Sequence, residues 1–204
     1  MKIPALFLVP LLFLAAPLRA DPVLQPHDFL AICGDSITEQ KRYSVFMEDY
    51  LLMCQPAEGL QAAQFGWSGE KAGGFAARIK DEVLPFKPTV ATTCYGMNDG
   101  FYAPMSESTG NTYRVAMTAS VERLKAGGVR AIIVGSPGCV DPAAFAKKGV
   151  TAEEYNKTLD ALRGIAQEIA QKEGVGFADI HTPMLEVMAK AKAAYGESYQ
   201  FVAG

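Results

Sequence analysis

Five short apolar runs, at residues 29–33, 60–65, 89–95, 131–135 and 175–180, alternate with stretches in which apolar residues recur at helical spacing. A strand followed by a helix and another strand runs parallel to the first, because the crossover helix carries the chain back to the starting edge. Tyr43, Phe46, Met47, Tyr50, Leu51 and Cys54 predict an amphipathic helix over 41–54. Phe75, Ile79 and Val83 predict a short helix stopped by Pro85, and Tyr113, Met117, Val121 and Leu124 a third, closed by Gly127-Gly128. Thr151-Ala152-Glu153-Glu154 reads as a capping box opening a helix with the stripe Tyr155, Leu159, Leu162, Ala166 and Ile169, ended by Gly174. Met184, Met188, Ala191 and Tyr195 outline the last helix. The pattern predicts a three-layer α/β/α domain on a five-stranded parallel sheet, with its ligand crevice beyond the carboxyl ends of the strands.

Residues 1–20 stand apart from this pattern. Lys2 precedes an apolar core from Ile3 to Leu14, and the segment closes on Ala20 before Asp21, which reads as a cleavable secretory signal. The core is too short for a bilayer span and contains Pro4 and Pro10, so no stable membrane anchor is expected. Cleavage near Ala20 predicts a secreted or periplasmic protein with one domain over 21–204. Removing the signal takes two of the 19 basic residues and none of the 22 acidic ones, leaving a formal charge of −5. A mildly acidic chain without a basic cluster is a poor partner for nucleic acid. Cys33, Cys54, Cys94 and Cys139 form no Cys-x-x-Cys pair, so no metal site is expected; Cys33 and Cys94, at strand ends, read as buried thiols rather than disulfide partners.

Three strands end in chemically suggestive turns. Gly34-Asp35-Ser36-Ile37-Thr38 follows the first, Ser68-Gly69 the second and Gly96-Met97-Asn98-Asp99 the third. Taken singly, Asp35 and Ser36 suit a turn and helix cap, Gly69 a turn, and Asn98 a helix cap. Taken together they place a serine hydroxyl, backbone N–H groups and a side-chain amide on one edge of a sheet. A serine needs a base to become a nucleophile and donors to stabilise the oxyanion it creates.

These motifs resemble the blocks of the SGNH (GDSL-type) hydrolase superfamily: Gly-Asp-Ser, a glycine, Gly-x-Asn-Asp and then Asp-x-x-His. The resemblance implies a flavodoxin-like three-layer fold with Ser36 as nucleophile and Ser36, Gly69 and Asn98 as oxyanion donors. It implies a serine esterase acting on acyl or acetyl esters of carbohydrate or lipid type through an acyl-enzyme, without metal or organic cofactor. Trp67, beside Ser68-Gly69, is a candidate for stacking on a sugar ring, with a core or crevice-wall position as the plainer reading.

The fourth block is not found. His27 lies ahead of the first strand, at the wrong edge of the sheet, and reads as a surface residue. His181 follows the fifth strand in Asp179-Ile180-His181, on the catalytic edge but one residue too close to its aspartate to form the block. The chain ends at Gly204 where the block is expected to begin, so the sequence is expected to be cut short at its C-terminus. A competing expectation is that His181 serves as base. The rival from another class is a noncatalytic acyl- or carbohydrate-binding module on the same fold. A nucleotide binder is disfavoured, because Gly69-Glu70-Lys71-Ala72-Gly73-Gly74 lacks the Gly-Lys-Ser/Thr ending of a phosphate loop.

Overall fold

A computed structural model of the protein describes residues 23–54 and 57–201; the expected signal segment, 1–20, lies outside them. Strands β1 (Phe29–Gly34), β2 (Gln61–Gly66), β3 (Val90–Cys94), β4 (Ala131–Gly135) and β5 (Gly176–Ala178) form one parallel sheet in the order β2-β1-β3-β4-β5. Around them lie α1 (Ser36–Glu39), α2 (Arg42–Cys54), α3 (Ala72–Arg78), α4 (Glu107–Ala126), α5 (Ala152–Glu173) and α6 (His181–Tyr195). The three-layer α/β fold expected from the alternating pattern is the one observed. The helix expected over 41–54 is observed as α2, and a short separate helix, α1, precedes it, with Lys41 at φ 58 marking the break between the two.

Side-chain alternation along the strands assigns the two faces. Ala31, Cys33, Ala91, Ile132 and Val134 pack with Phe75 of α3, Tyr113, Met117, Val121 and Leu124 of α4, and Leu162, Ala166 and Ile169 of α5. Leu30, Ile32 and Val90 point to the opposite face, where Tyr43 and Leu51 of α2 cover them. The helical stripes of α4 and α5 read from the sequence are the ones buried. Thr151 and Glu154 form the expected reciprocal cap, and Gly174 ends α5 in the left-handed region.

Three expectations change in detail. Pro85 does not stop α3: the helix widens into a π turn at Ile79–Val83 and tightens into a 3₁₀ turn at Leu84–Phe86. Proline in the first turn of a 3₁₀ segment forfeits no needed N–H, and the wide turn keeps Val83 on the buried face begun by Phe75 and Ile79. β5 is three residues long rather than six, because the Ser136 hydroxyl accepts from the N–H groups of Ile180 (2.8 Å) and His181 (3.1 Å) and turns the chain into α6. Tyr195, expected on the buried stripe of α6, is 72% exposed and tilts against Tyr199 instead. All four cysteines are free thiols, with Cys33 and Cys139 buried, Cys94 half-buried and Cys54 exposed.

The register aligns the strand ends. Gly34 pairs with Gly66 on one side and Cys94 on the other, Cys94 with Gly135, and Gly135 with Ala178. Ser36, Gly69, Asn98 and His181 all follow this row within four residues, on one edge of the sheet.

Candidate active site

Gly34 starts the first turn, where a methyl group would overlap the hydroxyl of Thr38. Asp35 follows as the N-cap of α1, almost fully buried, accepting at 3.0 Å from the N–H of Ile37. Ser36 is the first residue of the helix and half exposed. Neither its N–H nor its hydroxyl has a hydrogen-bond partner among the described residues. The plainer reading of this turn as cap chemistry therefore holds for Asp35, while Ser36 takes no part in the cap through its side chain.

The second turn is tied directly to the first. The N–H of Trp67 donates to the carbonyl of Gly34 at 3.1 Å. Gly69 lies in the left-handed region at φ +71, exposed, its N–H without a partner among the described residues. The next residue anchors the loop. Glu70 forms an ion pair with Arg78 through hydrogen bonds of 2.7 and 2.8 Å, and lies 2.7 Å from the hydroxyl of Tyr95. Arg78 also donates to the carbonyl of Phe65 at 2.7 Å, fixing the end of β2. Trp67 is not a core residue: it is 56% exposed, its ring near the Arg78 guanidinium.

Asn98 in the third turn joins the other two. Its Nδ2 donates to the carbonyl of Glu70 at 3.0 Å and lies 3.4 Å from the Asp35 carboxylate, while its Oδ1 accepts from the Tyr102 hydroxyl at 3.3 Å. It is not the helix cap that its sequence setting also allowed. Asp99 accepts from the N–H of Ala72 at 3.0 Å, so the third turn also orients the start of α3.

These three interlocked turns lie within the region, residues 32–197, that matches the family model of the GDSL-like lipase/acylhydrolase family. The chain belongs to that family.

Membership places this GDSL-family protein among ester hydrolases. Solved structures agree on the fold. A gut microbial diltiazem-metabolizing enzyme superposes with a TM-score of 0.73 at 21% identity, over 87% of this chain but only 42% of the other. A catalytic mutant of an acetylxylan esterase from Geobacillus stearothermophilus gives 0.68 at 20% identity, over 82% of this chain and 83% of the other. An α/β hydrolase from the metagenome of Lake Arreo, Spain, gives 0.66 at 20% identity with the same coverage. None of the curated proteins compared with the chain matches it.

Within this GDSL-type site two carboxyls are held away from water. Burial pushes Asp35 up to about 6, with the nearby Glu70 charge adding to the effect. Burial likewise pushes Asp99 up to about 6, and its Oδ2 has no hydrogen-bond partner among the described residues. Tyr95, enclosed beside Glu70, is held far above the usual phenol range by burial and by that charge.

The histidines stand apart from Ser36. His27 is exposed and donates its backbone N–H to Glu58 at 2.6 Å, ahead of β1 and so at the opposite edge of the sheet. His181 is on the correct edge but buried, with Nδ1 at 2.8 Å from the Gly138 carbonyl. It follows β5, three strands from β1, a lateral separation of about 14 Å at the usual strand spacing. Glu70, Arg78, Tyr95 and Tyr102 are the supporting residues that sequence reasoning did not single out. Only the glutamate's position directly after Gly69 offered a hint.

Proposed function

We propose that the protein hydrolyses acyl or acetyl esters through an acyl-Ser36 intermediate, with the N–H groups of Ser36 and Gly69 and the amide of Asn98 as oxyanion donors. The observation that carries this reading is the lacing of the three turns: Trp67 to Gly34, Asn98 to Glu70, and Asn98 beside Asp35. What supports it further is a serine hydroxyl without a partner among the described residues, on a turn that hydrogen bonds tie to the two other strand-end turns.

In the reaction, Ser36 Oγ bonds to the carbonyl carbon as its proton leaves to a base. The carbonyl π electrons move to the oxygen, where the donors stabilise the charge. Collapse re-forms the carbonyl and breaks the ester C–O bond; the alcohol leaves with a proton, and water repeats the attack on the acyl-serine. Neither His27 nor His181 is placed to accept the Ser36 proton, so this reading leaves that step to a group the described residues do not supply. The substrates proposed are ester-decorated carbohydrates or small acyl esters met outside the cytoplasm, following the signal-like residues 1–20.

The placement of both histidines favours a second reading, a binding module that holds acyl groups in the donor pocket without turning them over. A fluorophosphonate probe, applied with and without added imidazole, separates the two. The esterase reading expects covalent labelling at Ser36, accelerated by imidazole and abolished in Ser36→Ala. Retention of an acetylated sugar by protein that never labels at Ser36 supports the module and overturns the esterase.

A further inference from the structure

A carboxamide presents a donor at one end and an acceptor of nearly the same shape at the other. If the Asn98 amide turned over, a carbonyl oxygen would face the developing oxyanion and repel it. Whatever fixes this rotamer therefore controls the value of Asn98 as a donor. The two ends of the amide are held separately: Glu70 O accepts from Nδ2 at 3.0 Å, and the Tyr102 hydroxyl donates to Oδ1 at 3.3 Å. With both ends engaged, the remaining Nδ2 hydrogen is donated to Asp35 Oδ2 at 3.4 Å, which points it at the turn that carries Ser36.

The backbone that delivers Tyr102 is unusual. Phe101 and Tyr102 are consecutive non-glycine residues in the left-handed region, at φ 55 and 52. Each carries a conformational cost and persists only where its surroundings impose it. Phe101 is 53% exposed, so burial of its ring does not offset that cost. The surroundings that impose it come from α5 and the loop before it. The Tyr155 ring stacks on Tyr102 with centroids 5.0 Å apart and planes at 25°. Phe145 extends the stack, and the Lys147 ammonium lies over the Tyr102 ring at 4.4 Å. The Tyr155 hydroxyl also donates to the Met97 carbonyl, and Thr158 donates to the Ala103 carbonyl at 2.9 Å. Helix α5 thus grips the turn before Asn98 and after Tyr102.

We propose that Tyr102 is a positioning residue that locks the Asn98 carboxamide with its N–H toward the Ser36 turn, a role that rests on the reading of Asn98 as an oxyanion donor. The test variant is Tyr102→Phe, which keeps the stacked ring and removes the hydroxyl. One readout is the rate of Ser36 acylation by 4-nitrophenyl acetate in imidazole buffer. The other is hydrogen exchange of the Asn98 side-chain amide, assigned by NMR from the resonance pair lost in Asn98→Ala.

The expected result is an acylation rate constant lower by about threefold to tenfold, the loss of one neutral hydrogen bond, with KM within about twofold of the parent. Asn98 amide exchange quickens, and Tyr102→Phe has no further effect in an Asn98→Ala background. An equal loss in that background overturns the proposal, because the hydroxyl would then act independently of Asn98. So does unchanged amide exchange. If the parent protein does not acylate at all, the Ser36 reading fails instead, and amide exchange alone decides whether Tyr102 holds Asn98.

Discussion

Asn98 shares one side chain among three loops, accepting from Tyr102 and donating to Glu70 and toward Asp35. If it is also an oxyanion donor, its removal should act on the transition state rather than on binding. Asn98→Ala is expected to slow imidazole-assisted acylation of Ser36 by about 10²–10³ with little change in KM, measured from the nitrophenolate burst. A matching rise in KM would place Asn98 in substrate binding instead. Gly34 makes a different prediction, because a methyl there collides with a Thr38 hydroxyl already engaged with Tyr43 at 2.7 Å. Gly34→Ala is expected to cost about 1–3 kcal/mol in urea unfolding. The candidates Ser36, Gly69 and Asn98 could be picked out because each sits in a short motif at a strand end, and the structure ties the turns that carry them to one another. Glu70 was not, because its bond to Asn98 spans 28 positions and nothing in local spacing reports that; Arg78 and Tyr102 meet their partners eight and four positions away, across irregular turns that carry no period to read.

At the scale of elements, helices whose stripes face a deep core were readable to within a few residues, as α4 and α5 show. Their period reflects burial alone. The elements that departed from expectation are those set by a partner: β5 ends just before Ser136 captures the N–H groups of Ile180 and His181, and α3 changes pitch to keep Val83 inside. The α5 cap is a local device with a local test. Thr151 accepts from the Glu154 N–H at 3.2 Å, and the Glu154 carboxylate accepts from the Thr151 N–H at 2.9 Å. Thr151→Ala removes the hydroxyl half of this box and is expected to cost about 1 kcal/mol, lowering the urea midpoint without altering the slope. Because α5 also grips the turn beside Asn98, a change in slope would indicate that this turn had loosened as well.

For the molecule as a whole, the balance of buried carboxyls sets how stability varies with pH. Asp35 and Asp99 are both raised to about 6 by burial from an ordinary value of 3.8, so the folded state holds their protons more tightly than the unfolded chain. Such a group costs nothing below the unfolded value, and its penalty grows as pH rises through 4 to 6, reaching about 3 kcal/mol each once both states are ionised. Asp28 and Asp179 act in the opposite direction. Burial alone would raise them, but hydrogen bonds and cations hold both below the usual range: Thr89, Gln25 and Arg130 for Asp28, and Thr182 with Arg163 for Asp179. Their contribution is present above the ordinary carboxylate range and is lost in acid. Asp99 tests the first effect: burial outweighs the backbone N–H groups that donate to its carboxylate, and its Oδ2 has no hydrogen-bond partner among the described residues. Asp99→Asn removes the charge and keeps the acceptor for the Ala72 N–H. Relative to the parent, the variant is therefore expected to gain about 2–3 kcal/mol between pH 3.5 and pH 7.5 in urea unfolding. A difference that stays flat across that range would mean that the Asp99 carboxylate is solvated in the folded protein, and that the crevice floor behind Asn98 is wet.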